Sequence, residues 1–346
     1  MKDSRPLNIA LVGAGLSGLS AAQALLHAGH AVHVFDKSRG PSGRMSTRRA
    51  EDAPGPGGAP QPWQCDHGAQ YFTARDSAFR AEVARWQQAG VAALWPARIA
   101  SFDGSTWSTP NTALERFVGT PRMTAPAAWL VQQLGRRART QWQTTVQSVQ
   151  HHADGWAISS AEQGAHSERY DVVLLAVPAP QAVPLLAPLA PAGAALAASA
   201  QMRGSWAAML RYAAPVAMPW DGAFINAGPL RWVARDSSKP GRTGRETWLL
   251  HASPEWSQAH IEDDADAVTT ALVAAFAALG GPPPVAASAH RWRYADTEPA
   301  LTQGCWWDAT QQLGLCGDWL HGGKVEGAWL SGQALAQQVL KAPAAR

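Results

Sequence analysis

The sequence predicts an α/β fold, and three observations carry that prediction. An apolar strand pattern at residues 8–12 runs into a glycine-rich turn, a helical pattern and a second strand pattern at 31–35. Strands alternate with helices near both ends of the chain, whereas the middle is richer in strand patterns. Hydrophobic residues make up 46% of the 346 residues and charged residues 16%, enough apolar material for two domains with their own cores.

Taken in order, residues 16–28 place Leu19, Ala22, Leu25 and Leu26 on one side of a helix that Gly29 stops. Val32 and Val34 alternate with His33 and Phe35, which completes a βαβ opening. Residues 51–62 repeat Pro and Gly and read as a surface loop, with order resuming over 63–72. Phe79, Val83 and Trp86 predict a helix over 77–89, and short strands follow over 91–109 with Gly104 at a turn. A helix is predicted over 125–139, with Pro126 in its first turn. Residues 146–149 and 156–159 flank a turn and predict a hairpin.

The strand at 172–177 is halted by Pro178, and a Pro/Ala-rich stretch up to Ala200 reads as broken helix. Residues 203–251 mix strand patterns with turns. Acidic residues open a helix over 263–279. A short strand at 313–316 and a helix at 327–340 close the sequence. The predicted organisation is a Rossmann-type dinucleotide-binding domain (1–75, 125–195 and 310–346) with an inserted, strand-rich α+β substrate domain (76–124 and 196–309).

The charge balance, 29 Lys+Arg against 26 Asp+Glu, is too even to argue for nucleic acid. No apolar run reaches the roughly 18 residues that would span a bilayer, so no membrane role is expected. Cys65, Cys305 and Cys316 have neither disulfide nor metal spacing, which predicts a cytoplasmic protein without a metal. Lys2 and Arg5 before an apolar stretch imitate a signal peptide, but the glycine spacing there favours a mature domain.

Three segments carry chemistry. Gly13-Ala14-Gly15-Leu16-Ser17-Gly18 sits between a strand and a helix, with Asp36 closing the next strand. The glycines permit a tight turn, close approach of a pyrophosphate and helix–sheet contact, and Asp36 stands where an acid accepts from ribose hydroxyls. That motif suits FAD and NAD alike. The segment from Lys37 through Arg39, Gly43 and Arg44 to Met45 favours FAD, because its Gly-Arg pair can run along an extended cofactor. Gly314-Leu315-Cys316-Gly317-Asp318 places a carboxylate at a strand's C-terminal edge, before a helix whose N-terminus can face an electron-rich ring.

Other candidates are weaker. Trp292 and Tyr294 share one strand face and are candidate pocket walls, with ordinary core packing as the alternative. Arg231, Arg235, Lys239 and Arg242 read as a solvated basic stretch, with the alternative that they meet substrate phosphates. His251 reads as a core residue or a pocket donor. Ser331 has no His/Asp arrangement around it that would make a hydrolase.

These segments, with Asp66-His67-Gly68-Ala69-Gln70-Tyr71-Phe72, Cys316-Gly317-Asp318-Trp319 and Val325-Glu326-Gly327-Ala328-Trp329, resemble the bacterial renalase-like group of the flavin-containing amine oxidase superfamily. The resemblance implies a p-hydroxybenzoate-hydroxylase-like fold holding FAD non-covalently. It implies that Gly13, Ala14, Gly15, Leu16, Ser17, Gly18 and Asp36 hold the ADP half and that Val146 meets the adenine. Lys37, Arg39, Gly43, Arg44 and Met45 would follow the pyrophosphate and ribityl chain. Gly68, Ala69, Gln70 and Tyr71 would flank the isoalloxazine, and Gly317, Asp318, Val325, Glu326 and Gly327 its ribityl and ring end.

The implied activity is oxidation of the 2- and 6-dihydro isomers of NAD(P)H, with O2 as acceptor. No acid–base pair is expected, and no catalytic residue is assigned. Ser42 departs from the glycine common in the wider superfamily. Lys239 and Lys324, the mid-to-late lysines, lie in no strand context, which speaks against amine oxidation. Oxidation of a small amine, or a redox-inert flavin-binding role, remain the alternatives.

Overall fold

The computed structural model describes residues 5–52, 61–110 and 114–342. Lys2 and residues 53–60 of the Pro/Gly-rich stretch lie outside it.

The parallel sheet runs Trp306–Asp308, Leu313–Leu315, Val172–Leu175, Asn8–Val12, Ala31–Phe35, Ala138–Gln141, with only the first strand antiparallel to its neighbour. Alternation sends Ile9, Leu11, Val32, Val34, Val172 and Leu174 to one face, under the helices Leu16–His27 and Lys324–Lys341. Ala10, Val12, Phe35, Val173 and Leu175 go to the other face, under the Val146–His152/Gly155–Ser160 hairpin and the helices Ala179–Leu186 and Pro191–Ser199. Both faces are covered, so these strands read as continuous apolar runs. The two helices on the first face approach closely, because a Cβ on Gly332 would stand 2.1 Å from the Ser17 carbonyl oxygen.

A second sheet runs Ala286–Thr297, Met202–Tyr212, Glu246–Ala252, Leu230–Arg235, Gly222–Ile225, Ile99–Phe102, Trp107–Ser108. Helix Ala265–Ala277 covers one face through Val268, Leu272 and Phe276. On the opposite face, Ala207, Met209 and Leu249 pack against Trp63 and Cys65 of the Thr47–Asp52/Gln61–Asp66 hairpin. That hairpin delivers residues 66–71 to the seam between the sheets.

The structure corrects several boundaries. The helix predicted over 125–139 ends at Gln133, Gly135 turns the chain at φ +71°, and Ala138–Gln141 becomes an edge strand of the first sheet. Its Ala-Arg-Thr-Gln sequence has no alternation to announce it. Of the stretch read as a loop over 51–62, residues 51–52 and 61–62 belong to the paired strands Thr47–Asp52 and Gln61–Asp66, the first of them equally polar. Trp306–Asp308, within the stretch read as substrate domain, belongs to the first sheet. The closing helix starts at Lys324 rather than 327. Among the described residues no helix is long and apolar enough to cross a membrane, and no group of three or more His, Cys, Asp or Glu is placed to hold a metal.

Candidate active site

The glycine loop is tied down on both sides. Gly13 N donates to Phe35 O at 2.7 Å, Ala14 N donates to Asp36 Oδ2 at 2.6 Å, and Ser42 N donates to Ala14 O at 3.0 Å. Asp36 Oδ1 also accepts from Ser38 N at 2.7 Å. Each carboxylate oxygen therefore keeps acceptor capacity for a further donor.

Helix Leu16–His27 begins at Gly15 with no side-chain cap, and a Cβ built on Gly15 meets nothing within 4 Å. An open space in front of unsatisfied helix N–H groups is an anion site. Helix Lys324–Lys341 likewise begins without a side-chain cap, packed against the first helix and following the strand Leu313–Leu315 of the same sheet. The two N-termini fit a cofactor with a pyrophosphate at one station and an electron-rich ring at the other, as FAD has. FAD here would take the Gly15 space with its phosphates and accept hydrogen bonds from the first turn of the closing helix.

Several predicted cofactor residues take other partners. Arg44 donates through both terminal nitrogens to Asp318 and also to Ala295 O at 3.0 Å, joining segments 274 residues apart. Opposite charges with a matching fork make that pairing favourable. Glu326 Oε1 accepts from Arg75 N and Asp76 N, both at 2.7 Å, and so braces the start of helix Ser77–Gln88. Leu16, Met45 and Val325 are buried in the apolar core under the loop. Val146 is half-buried against the apolar cluster on the second face of the first sheet. Lys37 and Arg39 are exposed, as is Lys324 at the helix start.

Ser42 is held at φ +119°, a backbone region glycine adopts freely. Ser42→Gly is therefore expected to stabilise the protein by about 1 kcal/mol, read as a higher urea midpoint.

Next to this cradle lies a cavity of about 250 Å³. Gly68, Ala69, Gln70 and Tyr71 form one wall, and Phe224, Arg231, Trp232 and His251 the other. Tyr71 and Trp232 meet with ring centroids 5.6 Å apart, and Phe224 lies 4.8 Å from Trp232. Burial pushes the His251 imidazole down to about 4, so it is neutral at pH 7, and its Nε2 lies 3.2 Å from His67 O. Trp292 and Tyr294 do not line this cavity. Trp292 donates its indole N–H to His67 O at 2.9 Å and stacks on the His67 ring, so it backs the wall.

The predicted solvated basic stretch is the largest correction. Lys239 and Arg242 are buried with Asp66 and Asp236, Arg235 is half-buried and pairs with Glu246, and Arg231 alone of the four is exposed, 3.6 Å from Asp296. Lys239 Nζ donates to Asp236 Oδ1 at 2.7 Å, Asp66 Oδ2 at 3.1 Å and Gln70 Oε1 at 3.2 Å. Burial alone would raise the Asp66 carboxyl, but Lys239 and then Arg242 hold it well below the usual carboxylate range. Burial, and then the Asp66 charge, push Asp236 up to about 6. The spacing Asp236, Lys239, Arg242 was the one available signal, and it has many solvated counterparts.

Comparison with known proteins follows from this geometry. The family described as NAD(P)-binding Rossmann-like domain matches residues 11–85, and the family described as Flavin containing amine oxidoreductase matches residues 112–340. L-amino-acid oxidase of Daboia russelii is 54% identical over 48 residues, which is 14% of this chain and 10% of that protein. The enzyme of the same name from Sistrurus catenatus edwardsii is 51% identical over 49 residues, again 14% and 10%. The matched stretch is thus about a tenth of those relatives. Among solved structures, one described as a protoporphyrinogen oxidase from Exiguobacterium sp. 255-15 superposes with a TM-score of 0.73 at 10% identity, over 97% of this chain and 99% of that one. Putrescine oxidase bound to putrescine gives 0.70 at 14% identity, with the same coverage. At these identities the likeness speaks for the fold. With the second family match spanning most of the sequence, the chain belongs to the flavin-containing amine oxidoreductase family, and its cofactor is FAD.

Proposed function

We propose that this chain is an FAD-dependent oxidase of the 2- and 6-dihydro isomers of NAD(P)H, returning them to NAD(P)+ and passing two electrons to O2 to give H2O2. The observation that supports this reading is the chemistry of the 250 Å³ cavity. Tyr71, Phe224 and Trp232 offer flat apolar faces to a dihydropyridine ring. Arg231, exposed and 3.6 Å from the half-exposed Asp296 carboxylate, can turn its cation to an anionic group such as a phosphate. Among the described residues no carboxylate lines the cavity, so nothing there offsets the charge of a protonated amine. FAD, when bound, supplies the two-electron acceptor. Loss of a hydride leaves an aromatic pyridinium, which calls for orientation and exclusion of water rather than a base.

Anaerobic stopped-flow mixing tests the reading. Dihydronicotinamide isomers are expected to bleach the flavin rapidly, and small amines not. Bleaching by amines alone would turn the assignment to amine oxidation, the reading that family membership favours. A flavin that no donor bleaches would mark a redox-inert binding protein. With dihydronicotinamides the bleaching rate should be flat between about pH 7 and 9, because His251 is already neutral and the Asp236 and Asp66 charges keep Lys239 protonated against the effect of burial. An amine would instead react faster as it loses its proton.

Arg231→Met is expected to raise KM for a dihydronicotinamide dinucleotide about 10- to 100-fold, the loss of one charge-assisted contact. Its kcat and flavin content should stay within a few-fold of the parent, measured by steady-state kinetics and absorbance.

A further inference from the structure

The charge cluster behind the cavity wall has no part in the reaction proposed above, yet its contacts end on that wall. Lys239 has three N–H donors, and three oxygens receive them: Asp236 Oδ1, Asp66 Oδ2 and Gln70 Oε1. The Gln70 side chain is buried, and its amide nitrogen donates to Asp66 O at 2.5 Å and Gly68 O at 3.2 Å. The amide is therefore spanned between its own loop and Lys239, with its orientation set by the need of Oε1 for a donor. Asp66 is held in turn by Thr47 Oγ1 at 2.6 Å, Met123 N at 3.2 Å and Arg242.

The same wall is gripped from the other side. Ala69 N donates to Arg44 O at 2.9 Å, and a Cβ on Gly68 would stand 2.0 Å from that oxygen. Residues 68–71 are thus pinned between the nucleotide loop and a buried charge supplied by the second sheet.

We propose that Lys239 is a positioning residue that acts through Gln70, setting how far the 68–71 wall stands into the cavity and so how a ring is seated against it. The inference rests on the reading of this cavity as the place where the donor ring meets the flavin. A misplacement of about 1 Å at a reacting centre can cost about 100-fold in rate, so a brace remote from the chemistry has consequences.

The test compares Gln70→Met, which leaves every charge of the cluster paired, with Lys239→Met. Because Lys239→Met alone strands a buried carboxylate, it is also made with Asp236→Asn, which keeps the cluster balanced. In the FAD-free protein, hydrogen exchange of residues 66–72 should speed up at least tenfold in Gln70→Met and in the balanced variant, while the rest of the chain keeps its protection. In the holoprotein both should shift the visible flavin band and slow flavin bleaching about 10- to 100-fold, with KM changed less than kcat. The variant combining Gln70→Met with the balanced pair should be no worse than either, because the two act in one chain of contacts.

Parent-like exchange and an unshifted flavin band in Gln70→Met would overturn the proposal, whichever donor the enzyme takes. So would losses that multiply in the combined variant. A shifted band and faster exchange in a protein that dihydronicotinamides do not bleach would support the brace while sinking the substrate reading.

Discussion

Gly15→Val is expected to weaken FAD binding about 100-fold or more while the FAD-free protein unfolds at the same urea concentration as the parent. Gly15 has φ −71° and ψ 173°, backbone that any residue adopts, and its missing side chain faces open space. The Cβ of a valine there meets nothing in the chain within 4 Å, and the side chain occupies the station in front of the first helix N-terminus. Losing two charge-assisted hydrogen bonds to the pyrophosphate, at about 1.5 kcal/mol each, corresponds to about 100-fold. Gly18→Val makes the contrast, because a Cβ at Gly18 stands 2.1 Å from Gly13 O and that collision is with backbone. It should fail to fold or unfold far earlier. Titration of each purified protein with FAD, followed by flavin fluorescence, separates the two. Parent-like affinity in Gly15→Val would remove the phosphate station from this loop.

The second large effect is expected at Asp66→Asn, a destabilisation of about 3–5 kcal/mol. The change keeps the shape of the side chain and removes one of two carboxylates that neutralise Lys239 and Arg242 out of contact with water. Two buried cations would then share Asp236 alone. Desolvated charges without partners are far more costly than the original pairs are favourable, which sets the size of the effect. Urea unfolding of the parent and variant measures it. A loss below about 1 kcal/mol would mean that water reaches the cluster. Lys239 is buried and does not line the cavity. Its three contacts are all spent on the protein.

The nucleotide half of the molecule was legible because its signals are local. The turn at Gly13, the uncapped start of the first helix and the acid at Asp36 involve residues near one another in sequence, and each has a conformational or electrostatic reason that can be read one residue at a time. The apolar strands at 8–12, 31–35 and 172–175 were equally plain, since burial on both faces leaves an unbroken apolar run. Thr47–Asp52 and Ala138–Gln141 were missed because they are polar strands at sheet edges or in a two-stranded ribbon, and neither periodicity nor composition marks such a strand. Whether Trp292 would be a wall or a packed residue was open for a related reason. Alternation says which face a side chain takes, and only the packed neighbour, here His67, says what that face meets.

The sequence by itself determined a dinucleotide-binding α/β chain, because glycines with special backbone demands and a helix start after a buried strand are properties of consecutive residues. Tertiary structure alone decided that Arg44 would close on Asp318, that Glu326 would serve another helix, and that Lys239 would leave solvent for Asp66 and Gln70, more than 160 residues away. A charge is indifferent to sequence distance. Its partner is set by which segments share a desolvated space, and that space exists only once both sheets have closed around residues 66–71.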